Sequence, residues 1–331
     1  MKTYDVYGIG AALVDIEYKV DENFLQENQV DKGLMTLVDE DRQYQLIDNL
    51  GSYSKPVKRS CGGSACNTVV ATSGFGATAF YAGKVASDEE GAFFIKDLNA
   101  AGVDFHEVGH VKGITGKCLV MITDDAERTM NTYLGVNVDL SSSDVDTQLL
   151  ANSKWLYIEG YLVTDSQRTK VAVEAMSFAK QHDVKTSLSL SDPFVVQIFS
   201  QQLKSVIGDT VDLLFCNEEE AINFTDSSTI EQAAEALKNY AKSFVITRGA
   251  TGSMVYDGEH TTCASGVEAK AINTNGAGDM FAGAFLYAIS AGHDYVLAAQ
   301  FANAAAAVVV GQFGPRIETS EYVKLKQQFT I

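Results

Sequence analysis

The segment NTNGAGDMFAGAF, residues 273–285, carries the residue types that phosphate chemistry needs. Gly276, Ala277 and Gly278 stand directly before an amphipathic helix, where backbone N–H groups can converge on an anion. Asp279 falls in the first turn of that helix, so the helix dipole should stabilise its carboxylate as a base at neutral pH. An anion cradle beside a base suits phosphoryl transfer to an alcohol. The structural alternative is a glycine-rich loop followed by an acidic first turn.

Two further patterns supply groups that could hold a polyol. The segment CGGSACN, residues 61–67, precedes a helix predicted to start near Asn67, and Ser64 and Asn67 offer hydrogen-bonding groups beside a glycine pair. Its structural alternative is a turn followed by a helix N-cap. Asp15 follows the apolar run ALV, and a carboxylate near a strand end can accept hydrogen bonds from two vicinal hydroxyls.

Short apolar runs alternating with longer amphipathic stretches must position these residues. Strands are predicted at 4–9, 79–85, 155–159, 185–190, 211–216, 243–247 and 253–256. Helices are predicted at 67–74, 89–101, 166–182, 193–202, 218–224 and 230–240. Strands separated by helices of this length indicate an α/β fold, with a mostly parallel sheet covered by helices on both faces.

Two segments depart from this alternation. Residues 114–136 contain two strand-like runs around the acidic turn DDAE, which indicates a hairpin. Residues 16–60 begin with a strand and continue with a short helix, a strand over GLMTLV and a second helix. We predict that approximately 16–60 and 112–138 form a small α/β lid on a single domain spanning 1–331. Such a lid would exclude water from a reaction.

Composition limits the partners of the chain. Its 25 lysines and arginines face 43 aspartates and glutamates, a net charge of −18, which argues against nucleic-acid and anionic-membrane binding. The five cysteines form no CxxC pair, so a disulfide scaffold is not expected. The start of the chain shows no apolar signal core, and the alanine-rich run at 295–311 is predicted as a buried helix. We expect a cytoplasmic monomer or homodimer that binds small molecules.

The pairing of GGSACN early in the chain with NTNGAGD late resembles the PfkB family of carbohydrate and nucleoside kinases, which has the ribokinase-like fold. The similarity runs along the whole chain and is greatest to the adenosine kinases. Its motifs in the expected order are YIEGYLVT (157–164), LSLSDPF (188–194), LLFCNEEEA (213–221) and TNGAGDMFAGAFL (274–286). The resemblance implies a central mostly parallel sheet flanked by helices on both faces, with a small α/β lid.

The resemblance also implies roles for individual residues. Asp279 matches the catalytic base, the 276–278 run matches the anion hole, and Arg128 matches a lid arginine near the transferred phosphate. Residues predicted to bind the acceptor are Asp15, Gly63, Ser64, Asn67, Cys118 and Tyr161. Residues predicted to bind the nucleotide are Asn217, Thr247, Arg248, Gly249, Gly252 and Asn303. Asn217 and Glu220 match a motif that organises Mg²⁺ through water.

The activity implied is transfer of the γ-phosphate of ATP to the 5′-hydroxyl of a purine nucleoside, adenosine first, with Mg²⁺. A sugar kinase of the ribokinase or fructokinase type stays open as the alternative, although the long interval from Asp15 to Gly62 favours the adenosine kinases. The intact run from Gly276 to Asp279 disfavours a relative that binds without turnover. Two positions depart from the pattern. Ala11 replaces an asparagine of the adenosine kinases. Asn273 replaces an aspartate near the monovalent-cation site of related kinases, which leaves the need for such a cation open.

Overall fold

A computed structural model describes residues 3–106 and 111–331. Over these ranges the strands are β1 (Tyr4–Ile9), β2 (Leu13–Lys19), β3 (Met35–Leu37), β4 (Lys58–Gly62), β5 (Ala79–Ala82), β6 (Val103–Phe105), β7 (Thr115–Ile122), β8 (Arg128–Gly135), β9 (Ser153–Glu159), β10 (Lys185–Ser189), β11 (Val211–Asn217), β12 (Ala241–Thr247), β13 (Gly252–Tyr256) and β14 (Thr261–Ser265). The α-helices are α1 (Glu22–Glu27), α2 (Glu40–Tyr53), α3 (Ser64–Gly74), α4 (Glu89–Ala100), α5 (Thr147–Ala151), α6 (Ser166–Gln181), α7 (Pro193–Ile207), α8 (Glu218–Thr225), α9 (Ile230–Leu237), α10 (Ala277–Ser290), α11 (Tyr295–Val309) and α12 (Thr319–Phe329).

Within the described residues, nine strands form the larger sheet in the order β14-β13-β12-β11-β10-β9-β1-β5-β6. Every neighbouring pair from β12 to β6 is parallel, and β13 and β14 add two antiparallel strands at one edge. Successive side chains on a strand face opposite ways. Val6 and Tyr157 therefore pack in a core with α3, α10 and α11, whereas Tyr7 and Ile158 pack in a second core with α6 and α7. The predicted mostly parallel α/β sheet is confirmed.

The predicted elements are largely confirmed, with errors at their ends. The helix predicted to start near Asn67 begins at Ser64, and the strand predicted over 79–85 ends at Ala82. Helix α7 continues to Ile207, beyond the predicted end at 202. Strands β4, β6 and β14 were not predicted, because KRSCG and TTCAS lack apolar alternation and VDF is only three residues long.

The two segments that depart from the alternation build a smaller sheet in the order β3-β8-β7-β2-β4. The predicted hairpin is confirmed as antiparallel β7 and β8. Helices α1 and α2 cover one face through a core that includes Leu46, Leu50 and Leu119. Cys118, next along β7, points to the opposite face and joins an apolar cluster with Leu13. That this sheet closes as a lid stays a prediction.

Helix α11 confirms the buried helix predicted near 295–311, since eight of its residues are buried in the described structure. No helix found in residues 3–106 and 111–331 combines the length and the apolar character that a membrane crossing requires.

Candidate active site

A cavity of about 560 Å³ lies where the larger sheet faces the smaller one. The last residues of β9, β10, β11 and β12 line it, together with the N-terminal turns of α3 and α10 and one face of the smaller sheet. Ligands of open parallel sheets bind at the carboxyl ends of the strands, and this cavity lies at that end of the sheet. Every predicted site residue lines this cavity except Arg248.

The loop before α10 presents backbone N–H groups. Gly276 caps the helix with φ +76°, and a Cβ there would lie 2.5 Å from Pro315, so this position requires glycine. A Cβ on Gly278 would meet no atom within 4 Å, which leaves its backbone open to a ligand. The Ala277 N–H was predicted to face an anion. It donates instead to the Thr274 carbonyl at 3.3 Å, so it is not free to do so. In the described structure the N–H groups of Gly276 and Gly278 have no protein acceptor.

Asp279 is held from both sides by the start of α3. Ser64 Oγ donates to its Oδ1 at 2.7 Å, and Asn67 Nδ2 donates to its Oδ2 at 3.2 Å. Burial raises the pKa of Asp279 to about 6, although these two hydrogen bonds and the charge of Arg128 lower it. Asp279 was predicted to be a base at neutral pH because the helix dipole favours its carboxylate; desolvation raises its pKa instead, and its role as the base stays a prediction. A carboxylate with a pKa near 6 is mostly ionised at pH 7 and is a stronger base than an ordinary aspartate.

The turn into α3 places Gly63 and Asn67, which were predicted to bind the acceptor, on the wall of the cavity. Gly63 has φ +94°, and a Cβ there would collide with the carbonyl oxygen of Ala11. Ser64 and Asn67 were predicted to hold an acceptor ribose, yet both donate to Asp279. Asn67 Oδ1 is buried and has no partner among the described residues. A hydroxyl group of the substrate that receives the phosphoryl group would satisfy this oxygen by donating a hydrogen bond to it.

Asp15 lies within β2 instead of at a strand end, and it is 5% exposed. A Cβ on Gly62 would collide with its carboxyl group, so the glycine pair makes room for it. Burial, reinforced by the charges of Glu17 and Asp279, raises the pKa of Asp15 to about 8. The sequence predicted a charged acceptor of hydrogen bonds. A carboxyl with this pKa is instead mostly protonated at pH 7 and offers one donor and one acceptor.

The smaller sheet gives the acceptor end an apolar wall. Alternation on β8 turns Met130 and Leu134 to the cavity, and β3 adds Met35 and Leu37. Sequence reasoning missed all four, although the period of two in RTMNTYLG was a usable signal. The predicted Cys118 and Tyr161 also line this end.

Both of these predicted acceptor residues are tied into the structure. Cys118 is buried and accepts a hydrogen bond from Thr132 Oγ1 at 3.4 Å; burial raises the pKa of its thiol, which makes it a poor nucleophile. The Tyr161 hydroxyl donates to the Ser191 carbonyl at 3.4 Å, and burial raises its pKa well above the usual value. Both therefore contribute shape to the pocket instead of reactive groups.

Two arginines line the cavity. Arg128, the first residue of β8, forms no side-chain hydrogen bond or ion pair with the described residues, and its charge lowers the pKa of Asp279. Arg168 on α6 is 1% exposed; its Nη2 donates to Thr164 Oγ1 at 2.9 Å, but its buried Nε has no partner in the described chain. No sequence signal distinguished Arg168, which stands at an ordinary position of an amphipathic helix.

Asn217 and Glu220 first of all cap α8. The Asn217 Oδ1 accepts the Glu220 N–H at 2.8 Å, while the Glu220 carboxylate accepts the Asn217 N–H at 3.0 Å and its Nδ2 at 2.7 Å. Burial raises the pKa of Glu220 to about 7. Each side-chain oxygen of Asn217 and Glu220 keeps one lone pair outside these hydrogen bonds. The two residues therefore fit a Mg²⁺ ion held through water better than one bound directly. Nor do any three Asp, Glu, His or Cys side chains of the described residues gather as a metal-binding set.

Thr247, Gly249 and Gly252, which were predicted to bind the nucleotide, line the cavity, and that role stays a prediction. Arg248 does not line it, because its Nε donates to the Glu218 carboxylate at 3.2 Å beside α8. Asn303 lines the cavity, but its Nδ2 is used within the protein.

The partners of Asn303 are the Ser253 hydroxyl at 3.1 Å and the carbonyls of Ala264 and Ser265 at 3.2 Å each. It therefore fixes α11 against β13 and β14, and any part it takes in nucleotide binding comes from the wall that it positions.

A family model of known proteins, the pfkB family carbohydrate kinases, matches residues 34–321. The chain belongs to this family. It is a phosphotransferase with an alcohol group as acceptor, and the kinases of the family use ATP. The predicted ribokinase-like fold is confirmed by solved structures. An adenosine kinase from Sinorhizobium meliloti matches with a TM-score of 0.92 and 34% identity, covering 99% of this chain and 100% of that one.

The relatives differ in the acceptor that their names state. A probable sugar kinase from Rhizobium etli matches with a TM-score of 0.94 and 31% identity over the full length of both chains. A 5-dehydro-2-deoxygluconokinase of Bacillus subtilis is 26% identical, covering 94% of this chain and 91% of its own. Adenosine kinase 2 of Arabidopsis thaliana is 27% identical, covering 84% of this chain and 86% of its own. Similarity alone therefore leaves the acceptor of this kinase undecided.

Proposed function

We propose that this kinase transfers the γ-phosphoryl group of ATP to the 5′-hydroxyl of a purine nucleoside, adenosine first. The observation that carries the proposal is the apolar wall of Met35, Leu37, Met130 and Leu134, which lines the same cavity as Asp15 and Asn67. A purine base can bury a broad apolar face against such a wall, whereas a free sugar offers only the small apolar patches of its C–H groups. Tyr161 adds an aromatic ring on the same cavity.

In this mechanism Asp279 removes the proton from the acceptor hydroxyl as its oxygen attacks the γ-phosphorus. The new O–P bond forms, the bond between the γ-phosphorus and the β–γ bridging oxygen breaks, and ADP leaves. Ser64 and Asn67 orient Asp279 through their hydrogen bonds to its two oxygens. General-base assistance of this kind accelerates a reaction roughly 10²- to 10⁴-fold.

The charge of the transferring group is met by the N–H groups of Gly276 and Gly278 and by Arg128. Preorganised donors of this kind are each worth on the order of 3 kcal/mol in comparable sites. Asn217 and Glu220 would hold Mg²⁺ through its water shell. When bound, the ion neutralises charge on the phosphates.

The acceptor ribose is held by Asp15 and by Asn67 Oδ1, with the backbone at Gly63 close beside them. Closure of the smaller sheet over this end would keep water from competing with the acceptor.

One observation favours a second acceptor class, a sugar acid. The guanidinium of Arg168 is buried at the cavity with its Nε unpartnered among the described residues, and a carboxylate would satisfy it. The acceptors named by the 5-dehydro-2-deoxygluconokinases belong to this class. Burial lowers the pKa of Arg168, whereas the charges of Asp165 and Glu159 raise it, so these carboxylates already compensate part of its charge.

The test compares wild-type kcat/KM for adenosine, ribose, fructose and 5-dehydro-2-deoxygluconate at equal MgATP. We expect adenosine to give the highest value. Met130→Ser should lower kcat/KM for adenosine about 10-fold, by removing apolar contact, and Val138→Ala, at an exposed residue outside the cavity, should leave it unchanged. A higher kcat/KM for the sugar acid that is lost in Arg168→Met would overturn the nucleoside proposal.

A further inference from the structure

Strand β2 carries a second buried carboxyl group two residues beyond Asp15. Residues two apart on a strand share a face, so Asp15 and Glu17 project from the same side of β2. Glu17 is 1% exposed. It does not line the cavity, and neither the acceptor nor the nucleotide needs to touch it for the chemistry proposed above.

Both carboxylate oxygens of Glu17 accept hydrogen bonds from segments at the phosphoryl end of the cavity, the end formed by residues 273–279. Its Oε1 accepts hydrogen bonds from Nδ2 of Asn273 at 3.1 Å and Nδ2 of Asn275 at 3.0 Å. Its Oε2 accepts the N–H of Gly314 at 2.7 Å. The Oδ1 of Asn273 in turn accepts the Asn275 N–H at 2.9 Å. One carboxylate on the smaller sheet therefore joins the loop before α10 to the segment after α11.

This loop ends in the groups that perform phosphoryl transfer. Gly276 follows Asn275 directly and adopts φ +76°, a conformation that sets where the next N–H groups and Asp279 point. Hydrogen bonds to an ionised acceptor are stronger than those between neutral groups. Glu17 thus holds the side chains of Asn273 and Asn275, and Asn275 is the residue immediately before the anion-binding turn.

We propose that Glu17 is a positioning residue for phosphoryl transfer, which holds the 273–276 loop so that the N–H groups of Gly276 and Gly278 and the carboxylate of Asp279 address one phosphoryl group. The inference rests on the roles proposed above for that loop and not on the identity of the acceptor. It also makes the smaller sheet part of the phosphoryl-transfer apparatus, because the hold comes from β2.

The substitution Glu17→Gln keeps the size of the side chain but turns one acceptor oxygen into a donor. At least one of the three N–H partners then faces another donor in a buried place. We expect kcat to fall roughly 10- to 100-fold, with the KM for the acceptor changed less than 3-fold. Asn273→Asp should be at least as harmful, because it places a second carboxylate about 3 Å from Glu17.

The double variant Glu17→Gln/Asn273→Asp supplies the decisive comparison. Here the amide introduced on β2 can donate to the new carboxylate while its oxygen accepts the Gly314 N–H, so the carboxylate has moved from the sheet to the loop. We expect the double variant to recover at least 5-fold in kcat over Asn273→Asp. If Glu17 and Asn273 acted independently, the two losses would instead multiply.

The measurements use the full chain and whichever acceptor wild type turns over best, so a sugar substrate would defeat the nucleoside proposal without affecting this test. Thermal unfolding checks that each variant is folded, and Glu40→Gln, an exposed carboxylate on α2, serves as the matched control with wild-type kinetics. Calorimetric titration with MgATP, which needs no acceptor, should show less weakening than the loss in kcat. Wild-type kcat in Glu17→Gln, or strictly multiplicative losses in the double variant, would overturn the proposal.

Discussion

The phosphoryl end and the acceptor end of the cavity are built on different plans. The phosphoryl end consists mainly of backbone N–H groups in one continuous segment, residues 273–279, at the start of a helix. The acceptor end consists of side chains from β2, β3, β8, α3 and the turn after β9. Backbone groups recognise any phosphate in the same way, whereas side chains can be exchanged one by one. Under the function proposed above, the first end would set the reaction and the second would set which alcohol reacts.

The two carboxyl groups at these ends also differ in protonation. Asp279 receives hydrogen bonds from Ser64 and Asn67, and its pKa rises only to about 6. Asp15 lies deeper, between Glu17 and Asp279, and its pKa rises to about 8. At pH 7 the first is mostly ionised and can take a proton, while the second mostly keeps its own. Environment assigns separate tasks to two residues of the same type.

Asp279→Asn should break the phosphoryl end alone, with the largest effect of all. The amide keeps the shape but cannot accept the proton, so we expect kcat to fall roughly 10²- to 10⁴-fold. The dissociation constant for adenosine, measured by calorimetry, should change little. A variant that retained more than a tenth of wild-type kcat would contradict the role of Asp279 as the base.

The same assignment predicts the acid limb of the wild-type pH profile. Below pH of about 6 the Asp279 carboxylate becomes protonated and loses its capacity as a base, so kcat/KM should fall as the pH drops through that value. An acid limb centred near the ordinary aspartate pKa would show that burial does not perturb this group.

Asp15→Ala should break the acceptor end while sparing the nucleotide. The variant leaves ribose hydroxyls buried without their partner, which should cost roughly 5- to 150-fold in kcat/KM for adenosine, with the KM for MgATP unchanged. Wild type should prefer adenosine to 2′-deoxyadenosine and 3′-deoxyadenosine, and the variant should lose much of that preference. Equal wild-type rates on all three nucleosides would leave the kinase intact but remove the role given to Asp15.

Glu220→Gln should give the smallest effect, since this carboxylate acts on the phosphoryl end only through water. We expect a several-fold lower kcat and a higher Mg²⁺ concentration for half-maximal rate. The variant keeps an oxygen for the Asn217 N–H, so α8 should stay capped; thermal unfolding verifies this. A magnesium titration identical to wild type would limit Glu220 to its capping role.

The sequence was most informative where one short segment contains a complete function. NTNGAGD predicted the helix start, the open backbone at Gly278 and the position of Asp279, because a turn and the helix that follows it are local structure. The hairpin at 114–136 was equally local. Even here local reasoning failed for the Ala277 N–H, which bonds within the loop, and it did not predict the raised pKa of Asp279, which results from burial in the folded protein.

Only the tertiary structure decided what distant segments do together. Arg248 donates to Glu218 outside the cavity. Asn303 donates through its side-chain amide to residues of β13 and β14. Neither could be predicted, because side-chain partners depend on packing that no local pattern encodes. In the sequence Glu17 is one more polar residue of a strand. In the structure its Oε1 lies 3.1 Å from the Nδ2 of Asn273, which is 256 positions away along the chain. The sequence by itself determined the phosphoryl-transfer motif from one short segment, the parallel sheet from the alternation of strands and helices, and the family from short motifs in a characteristic order, since each is a pattern along the chain. The protonation states, the apolar wall and the carboxylate that supports the loop were decided by folding, since burial and charge act through space.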